Sequence, residues 1–389
     1  MKKQHLFLAL ILYLFSAGAT YGALSMLPNQ AQSEDNPVIE PNDHETALSM
    51  LLEIDPSEPK DKECPLNGAM FTQTEKESWE KRRPLFIMIE NSPDARPQSG
   101  LSRADVVFEA LAEGGVTRFG AVFYCNAQKQ DVIVAPVRSA RTYFVDWASG
   151  FNFPMYVHVG GANLSGPVNA LGQIRQYGWS MQNDIDQFSE GYPTFIRNET
   201  RIPGKKVATE HTMESSTEKL WQVASKRNWT NLNPDGEEWS DGYVPFEFED
   251  ESKDVNAGSV TSIAYDFWSG YDQYSVSWNY DSQTDTYLRT MGGVKHVDLE
   301  NNEPISASTV IVLKTVEKGP VDELRHMLYE TVGKGKALIF KHGEVIEANW
   351  SKKTRTSQIA FSDSRGATVP LARGPIWISV VGLGNEISY

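Results

Sequence analysis

Cysteine is almost missing from this chain: Cys64 and Cys125 are the only two in 389 residues. Neither their spacing nor their neighbours suggest a metal site, and no zinc, calcium or phosphate-loop motif appears, so neither a metal nor a cofactor is expected. In an exported protein two cysteines can pair, but sequence alone does not give the distance between them. A Cys64–Cys125 disulfide and two free thiols therefore remain alternatives. Positive charge is short as well. Lys and Arg number 36 against 51 Asp and Glu, a formal net charge of −15. A nucleic-acid binder needs a basic face, and an anionic membrane surface attracts basic segments, so the balance argues against both. There is no low-complexity tract and no repeat at fixed spacing, which excludes a solenoid.

What is present begins with Met1-Lys2-Lys3 followed by a run, His5 to Leu27, that is almost wholly apolar or small. A basic lead and an apolar run make an export signal. The run is also near the length that spans a bilayer as a helix, and the leading lysines would keep the N-terminus in the cytoplasm and the rest outside. Residues 1–28 are expected to be a signal peptide or signal anchor, and residues 29–63, rich in Glu, Asp, Pro and Ser, a disordered acidic tether. The protein is then extracytoplasmic, either anchored by this helix or secreted.

The fold class expected is α+β. Short apolar runs such as Leu85–Ile89, Val106–Phe108, Phe119–Tyr124 and Val132–Val137 are bounded by Gly, Asn and Pro and read as strands. Ser139–Phe151 places apolar residues at helical spacing with Ser139 as a candidate N-cap, and Glu210–Asn228 holds a helix with Thr212, Ser215 or Ser216 as its cap. Residues 64–230 are thus an N-terminal mixed α/β domain and residues 231–257 an acidic linker rich in Gly, Pro and Asn. From 258 to 389 the pattern alternates with period two, which predicts an antiparallel β-rich domain interrupted by one helical stretch at Leu324–Val332.

Several runs carry a resemblance. Cys64-Pro65-Leu66-Asn67-Gly68, Asn91, ARPQSGL (Ala95–Leu101), Ala104–Val107, Glu109, EGGVTRF (Glu113–Phe119) and PVRSAR (Pro136–Arg141) resemble the YerB-like lipoprotein family (domain of unknown function 3048). Gly335–Leu338 and Gly343–Trp350 are similar to that family's second domain, so the likeness covers Cys64 to Val381. It implies a two-domain protein facing the cell envelope, without an established reaction. Lipoproteins of this kind carry a cysteine just after the signal peptide. This chain has none before Cys64, so an uncleaved helix or secretion is expected rather than a lipid anchor.

The same motifs bring charge to strand ends. Arg118, Arg138 and Arg141 are candidates for an anion site, because guanidinium forks grip carboxylate or phosphate in pairs. Glu109 and Glu113 are candidate acid/base groups, or else internal partners that lock the arginines. His158, at the end of an apolar strand, is a third acid/base candidate. Asn91, Arg96, Ser139, Gly160 and Gly161 complete the candidate pocket. No nucleophile elbow surrounds Ser139, so it is not expected to be a nucleophile. Trp268, Tyr271 and Tyr274 are either core or a platform for sugars. Two functions follow. One is a binding or scaffold protein that holds an anionic envelope glycan or an envelope protein. The other is an envelope enzyme acting on a phosphate- or carboxylate-bearing glycan or lipid-linked substrate.

Overall fold

A run such as Leu85–Glu90 (LFIMIE) is apolar at five successive positions, so both faces of the strand must be covered. The structure, a computed structural model, describes residues 52–249 and 258–389. The expected signal segment, residues 29–51 of the expected tether and residues 250–257 of the expected linker lie outside the described residues. Among the described residues no helix is long and apolar enough to cross a membrane.

Ten strands form the central sheet: β1 (Leu85–Glu90), β2 (Val106–Glu113), β3 (Val116–Phe123), β4 (Met155–His158), β5 (Asp184–Asp186), β6 (Thr309–Thr315), β7 (Gly333–Lys341), β8 (Glu344–Lys352), β9 (Ala360–Ser362) and β10 (Ile376–Gly382). Their order across the sheet is β9-β8-β7-β6-β10-β2-β3-β1-β4-β5. β10 lies parallel to both β6 and β2, so strands from either side of residues 231–257 share one sheet. β4 lies parallel to β1 and β5, while β3 runs antiparallel between β2 and β1. In consequence β1, β2, β4, β5, β6 and β10 all end at one edge, and β3 begins there.

Helix α1 (Thr142–Ala148) covers one face, where Trp147 stacks on Phe108 at 5.5 Å. Gly120 makes this packing possible, since a Cβ there would lie 2.5 Å from the Phe86 ring and 2.8 Å from Phe144. A second, antiparallel sheet covers the other face. It contains Ser262–Tyr265, Val276–Asp281 and Thr286–Met291, and Trp278 meets Trp377 of β10 at 5.4 Å. The fold is therefore α+β, with a mixed sheet first and antiparallel strands dominating after residue 258. Cys64 and Cys125 are joined by a buried disulfide with Cα atoms 6.1 Å apart. Closing a loop of 61 residues stabilises by about 4 kcal/mol on the chain-entropy model.

Two local expectations differ and one is met. The first helix starts at Thr142 rather than at Ser139, because Ala140 is still extended and bridged to Gly161. The helix expected within Glu210–Asn228 is Thr217–Lys226 with Ser216 at its cap position, one of the three expected, and a strand, Met213–Ser216, precedes it. Leu324–Val332 is not helical. Asp322 accepts from the main-chain N of His326 at 3.0 Å, Arg325 has φ 62°, and Leu328–Tyr329 pairs with Glu317–Lys318. A turn held by Asp322 thus replaces the helix.

Candidate anion site at the carboxyl edge of the sheet

In open sheets with parallel strands, ligands bind outside the carboxyl ends of the strands. At that edge this chain places Glu90, Glu113, Arg118, Arg138, Arg141 and His158.

Alternation along β2 would put Glu109 and Glu113 on one face, because they are four residues apart. The register with β3 shifts between Leu111 and Glu113, so that Glu109 opposes Phe119 while Glu113 opposes Val116. One extra residue reverses every side chain after it, so the two glutamates face opposite ways. The next two residues, Gly114 and Gly115, have φ 56° and 86° and make the tight hairpin turn into β3. A Cβ on Gly115 would lie 2.2 Å from the Tyr271 ring.

On the α1 side, Glu113 is shared. Its Oε1 accepts from Arg118 Nη2 at 2.7 Å, and its Oε2 accepts from Arg141 Nη2 at 2.6 Å and Nε at 3.0 Å. Arg118 Nη1 donates to the Ser139 carbonyl at 3.1 Å, and Arg141 Nη1 to the Ala140 carbonyl at 2.7 Å. The two arginine side chains are 1% and 8% exposed. Burial would raise the Glu113 carboxyl, but the two guanidiniums override it and hold it down at about 2. Arg118 and Arg141 are therefore committed to their own chain, and Ser139 contributes a carbonyl to Arg118.

On the opposite face, Glu109 meets Arg289 at 2.6 Å, with neither side chain exposed. Trp377 Nε1 (3.1 Å) and Thr117 Oγ1 (3.0 Å) also donate to Glu109. Arg289 donates to His296 Nδ1 at 2.9 Å, and His296 Nε2 faces Gln98 Oε1 at 2.8 Å. Burial, then the Arg289 charge, push the His296 ring well below its ordinary value, so it accepts from Arg289 as a neutral imidazole. Arg96 donates to Asn91 Oδ1 at 3.1 Å and to the Gln273 carbonyl at 2.7 Å. Asn91, Arg96 and Glu109 thus belong to an internal network that ties the ARPQSGL run to the second sheet. Asn91 and Glu109 are sealed from solvent.

His158 is buried with both nitrogens used: Nδ1 on the Gly160 carbonyl at 2.7 Å and Nε2 on Asp184 Oδ1 at 2.6 Å. Burial alone would lower its pKa, yet Asp184 and Asp186 prevail and raise it above the ordinary value. A carbonyl and a carboxylate both accept, so both ring nitrogens are engaged by the chain itself. Gly160 and Gly161 serve packing. Cβ atoms there would stand 3.0 Å from Phe188 and 3.0 Å from Ala140.

Arg138 is different. Its main chain is fixed by its N on the Met88 carbonyl (2.8 Å) and its carbonyl under Val159 N (3.1 Å). Its side chain is 26% exposed, and its Nε stands 3.5 Å from Glu90 Oε2 without a hydrogen bond. The same oxygen accepts from His211 Nδ1 at 2.8 Å. Among the described residues, no hydrogen-bond partner meets the Arg138 Nη atoms or His211 Nε2. Glu90 and His211 were missed as site residues. Glu90 carries the signal that flagged the others, a lone charge at the end of an apolar strand. Arg289 carries one too, because alternation puts it on the same inward face as Tyr287 and Met291.

The molecule is, by class, an α+β protein with a mixed central sheet and a knot of ion pairs at its carboxyl edge. Residues 71–230 match the family model for the N-terminal domain of a protein of unknown function, DUF3048, and residues 263–378 match its C-terminal domain. The chain is 30% identical over 329 residues to "Putative lipoprotein YerB" of Bacillus subtilis (strain 168), covering 84% of this chain and 88% of that protein. The crystal structure of the YerB protein from Bacillus subtilis is similar with a TM-score of 0.68 and 28% identity, covering 85% of this chain and 100% of that one. This chain belongs to the DUF3048 family.

Proposed function

We propose that this is an extracytoplasmic binding protein that holds an anionic group of the cell envelope between Arg138 and His211. The observation that carries this reading is the unequal use of the three arginines. Arg118 and Arg141 spend their Nη groups on Glu113 and carbonyls, leaving only the buried Arg118 Nε without a partner, whereas Arg138 has one carboxylate at 3.5 Å and a side chain 26% exposed. A phosphate or carboxylate would supply the acceptors that the Arg138 fork lacks, and His211, on the same Glu90 oxygen, offers Nε2 beside it. The basic, apolar N-terminus supports export, as does the likeness to the "Putative lipoprotein YerB" of Bacillus subtilis. A buried disulfide also suits an oxidising compartment. The ligand is then an anionic envelope glycan or an acidic segment of an envelope protein, with the membrane reached through the N-terminal segment.

One contact favours the enzymatic alternative. Glu90 on His211 Nδ1 orients the ring, as a carboxylate orients a catalytic histidine, and leaves Nε2 free for a proton. Calorimetry with inorganic phosphate, phosphorylated glycans and carboxylated glycans separates the readings. Arg138→Ala should lose binding by at least about tenfold, the worth of one charge-assisted pair, while the protein stays folded. Equal binding by the variant, or a variant that does not fold, overturns the anion site. His211→Asn should abolish turnover under the enzymatic reading and only weaken affinity under the binding one.

A further inference from the structure

A second cleft lies on the antiparallel sheet, and none of the ion-pair residues lines it. Its volume is about 650 Å³, and its walls are the turn after Tyr265 and the segment before Ser388. The two walls are tied together. Asn385 Nδ2 donates to the Asp266 carbonyl at 2.6 Å and to the Phe267 carbonyl at 3.0 Å, and Lys314 Nζ holds the Asn385 carbonyl at 2.6 Å. Trp268 lines the cleft with its ring half-buried, and its Nε1 is pinned to Glu317 Oε1 at 2.9 Å. Tyr271 stands edge-on to it at 5.7 Å. The indole is therefore a fixed platform. The polar lining is one-sided. Asp266, Glu386, Ser275 and Ser277 line the cleft, and among the described residues their side chains have no hydrogen-bond partner; the lining contains no Lys, Arg or His.

We infer that this cleft binds an uncharged oligosaccharide, with a sugar ring on the Trp268 face. A pyranose has an apolar C–H face to lay on an indole and hydroxyls to donate to carboxylates. Two unpaired carboxylates with no cationic side chain in the lining repel an anionic ligand, so the site discriminates against the class of ligand that Arg138 selects. The volume is that of a site for a small ligand, and the Asn385 tie means that little ordering is lost on binding. The inference stands on different residues from the anion site and survives the loss of that reading.

Calorimetry on the whole chain with a neutral N-acetylglucosamine tetramer and with a uronate-bearing oligosaccharide tests it. The neutral ligand should bind with a dissociation constant of millimolar or below, and the acidic one at least about tenfold more weakly. Trp268→Ala should weaken the neutral ligand at least about tenfold, and Trp268→Phe less. Ser277→Trp, which fills the cleft from a half-buried position, should abolish binding and leaves the inference testable if Trp268→Ala does not fold. Absence of neutral-sugar binding at millimolar concentrations, preference for the acidic sugar, or affinity unchanged in both Trp268→Ala and Ser277→Trp overturns the proposal.

Discussion

Replacing Glu113 with Gln tests whether the arginine cluster is a structural knot. The carboxylate is the shared partner of Arg118 and Arg141, whose side chains are 1% and 8% exposed. In the variant one amide oxygen must serve two buried guanidiniums that already oppose each other, since the Arg118 charge lowers the Arg141 pKa after burial has done so. Glu113 is held at about 2 against an ordinary 4.5. At 1.36 kcal/mol per unit, that depression contributes about 3 kcal/mol of stability at neutral pH. Breaking a buried pair from one side costs about 3–5 kcal/mol, which agrees, and partial exposure of Glu113 favours the lower end. Because the folded value lies below the unfolded one, the contribution is complete above pH ~4.5 and is lost as pH falls through ~2. Urea denaturation of both proteins across that range gives the gap at each pH. It should be about 3 kcal/mol at neutral pH and should close in acid. A Gln variant within about 1 kcal/mol of the parent at neutral pH would refute the reasoning. The two arginines would then hold binding capacity in reserve, and the anion site would have to be redrawn around all three.

Two further outcomes follow from the same accounting. Arg289→Met should destabilise by about 3–5 kcal/mol by leaving Glu109 charged and sealed, whereas Glu109→Gln with Arg289→Met should recover much of the loss; urea midpoints of the two singles and the double check this. His158 should keep both ring protons at neutral pH, visible in its ring-nitrogen resonances. Its folded value is raised, so the stability it gains from Asp184 is complete below pH ~6.5 and fades as pH rises through the folded value. The gap between the parent and Asp184→Asn should shrink in alkali; a gap constant with pH would show that the ring is neutral.

Much of the scaffold was legible because it depends on near neighbours. The unbroken run at Leu85–Ile89 names a buried strand, and Gly114-Gly115 names a hairpin. The alternation through residues 260–266 and 274–280 names two half-buried strands, which pair antiparallel as Ser262–Tyr265 and Val276–Asp281. What could not be read depends on partners far away in the chain. Periodicity says that Ile376–Gly382 is a strand, but not that it inserts beside Val106–Glu113 in parallel and makes one sheet of both segments. That insertion brings Trp377 to Glu109 and converts a candidate acid/base group into one end of a buried ion pair.

The arginines show the same limit on a smaller scale. Charge at the end of a strand was the right signal for the edge of the sheet, yet it cannot say which charges are consumed there. That was decided by one additional residue between Leu111 and Glu113, which turned a glutamate toward Arg118 and Arg141 and away from Arg289. Had the register continued unbroken, Glu109 and Glu113 would have shared a face, and Arg118 would have lost its carboxylate to the other side of the sheet. The bulge therefore separates two roles for chemically identical groups. It closes two guanidiniums into the framework, and it leaves Arg138, which hangs from a segment anchored on Met88 and Val159, as the one whose fork still has donors to spend.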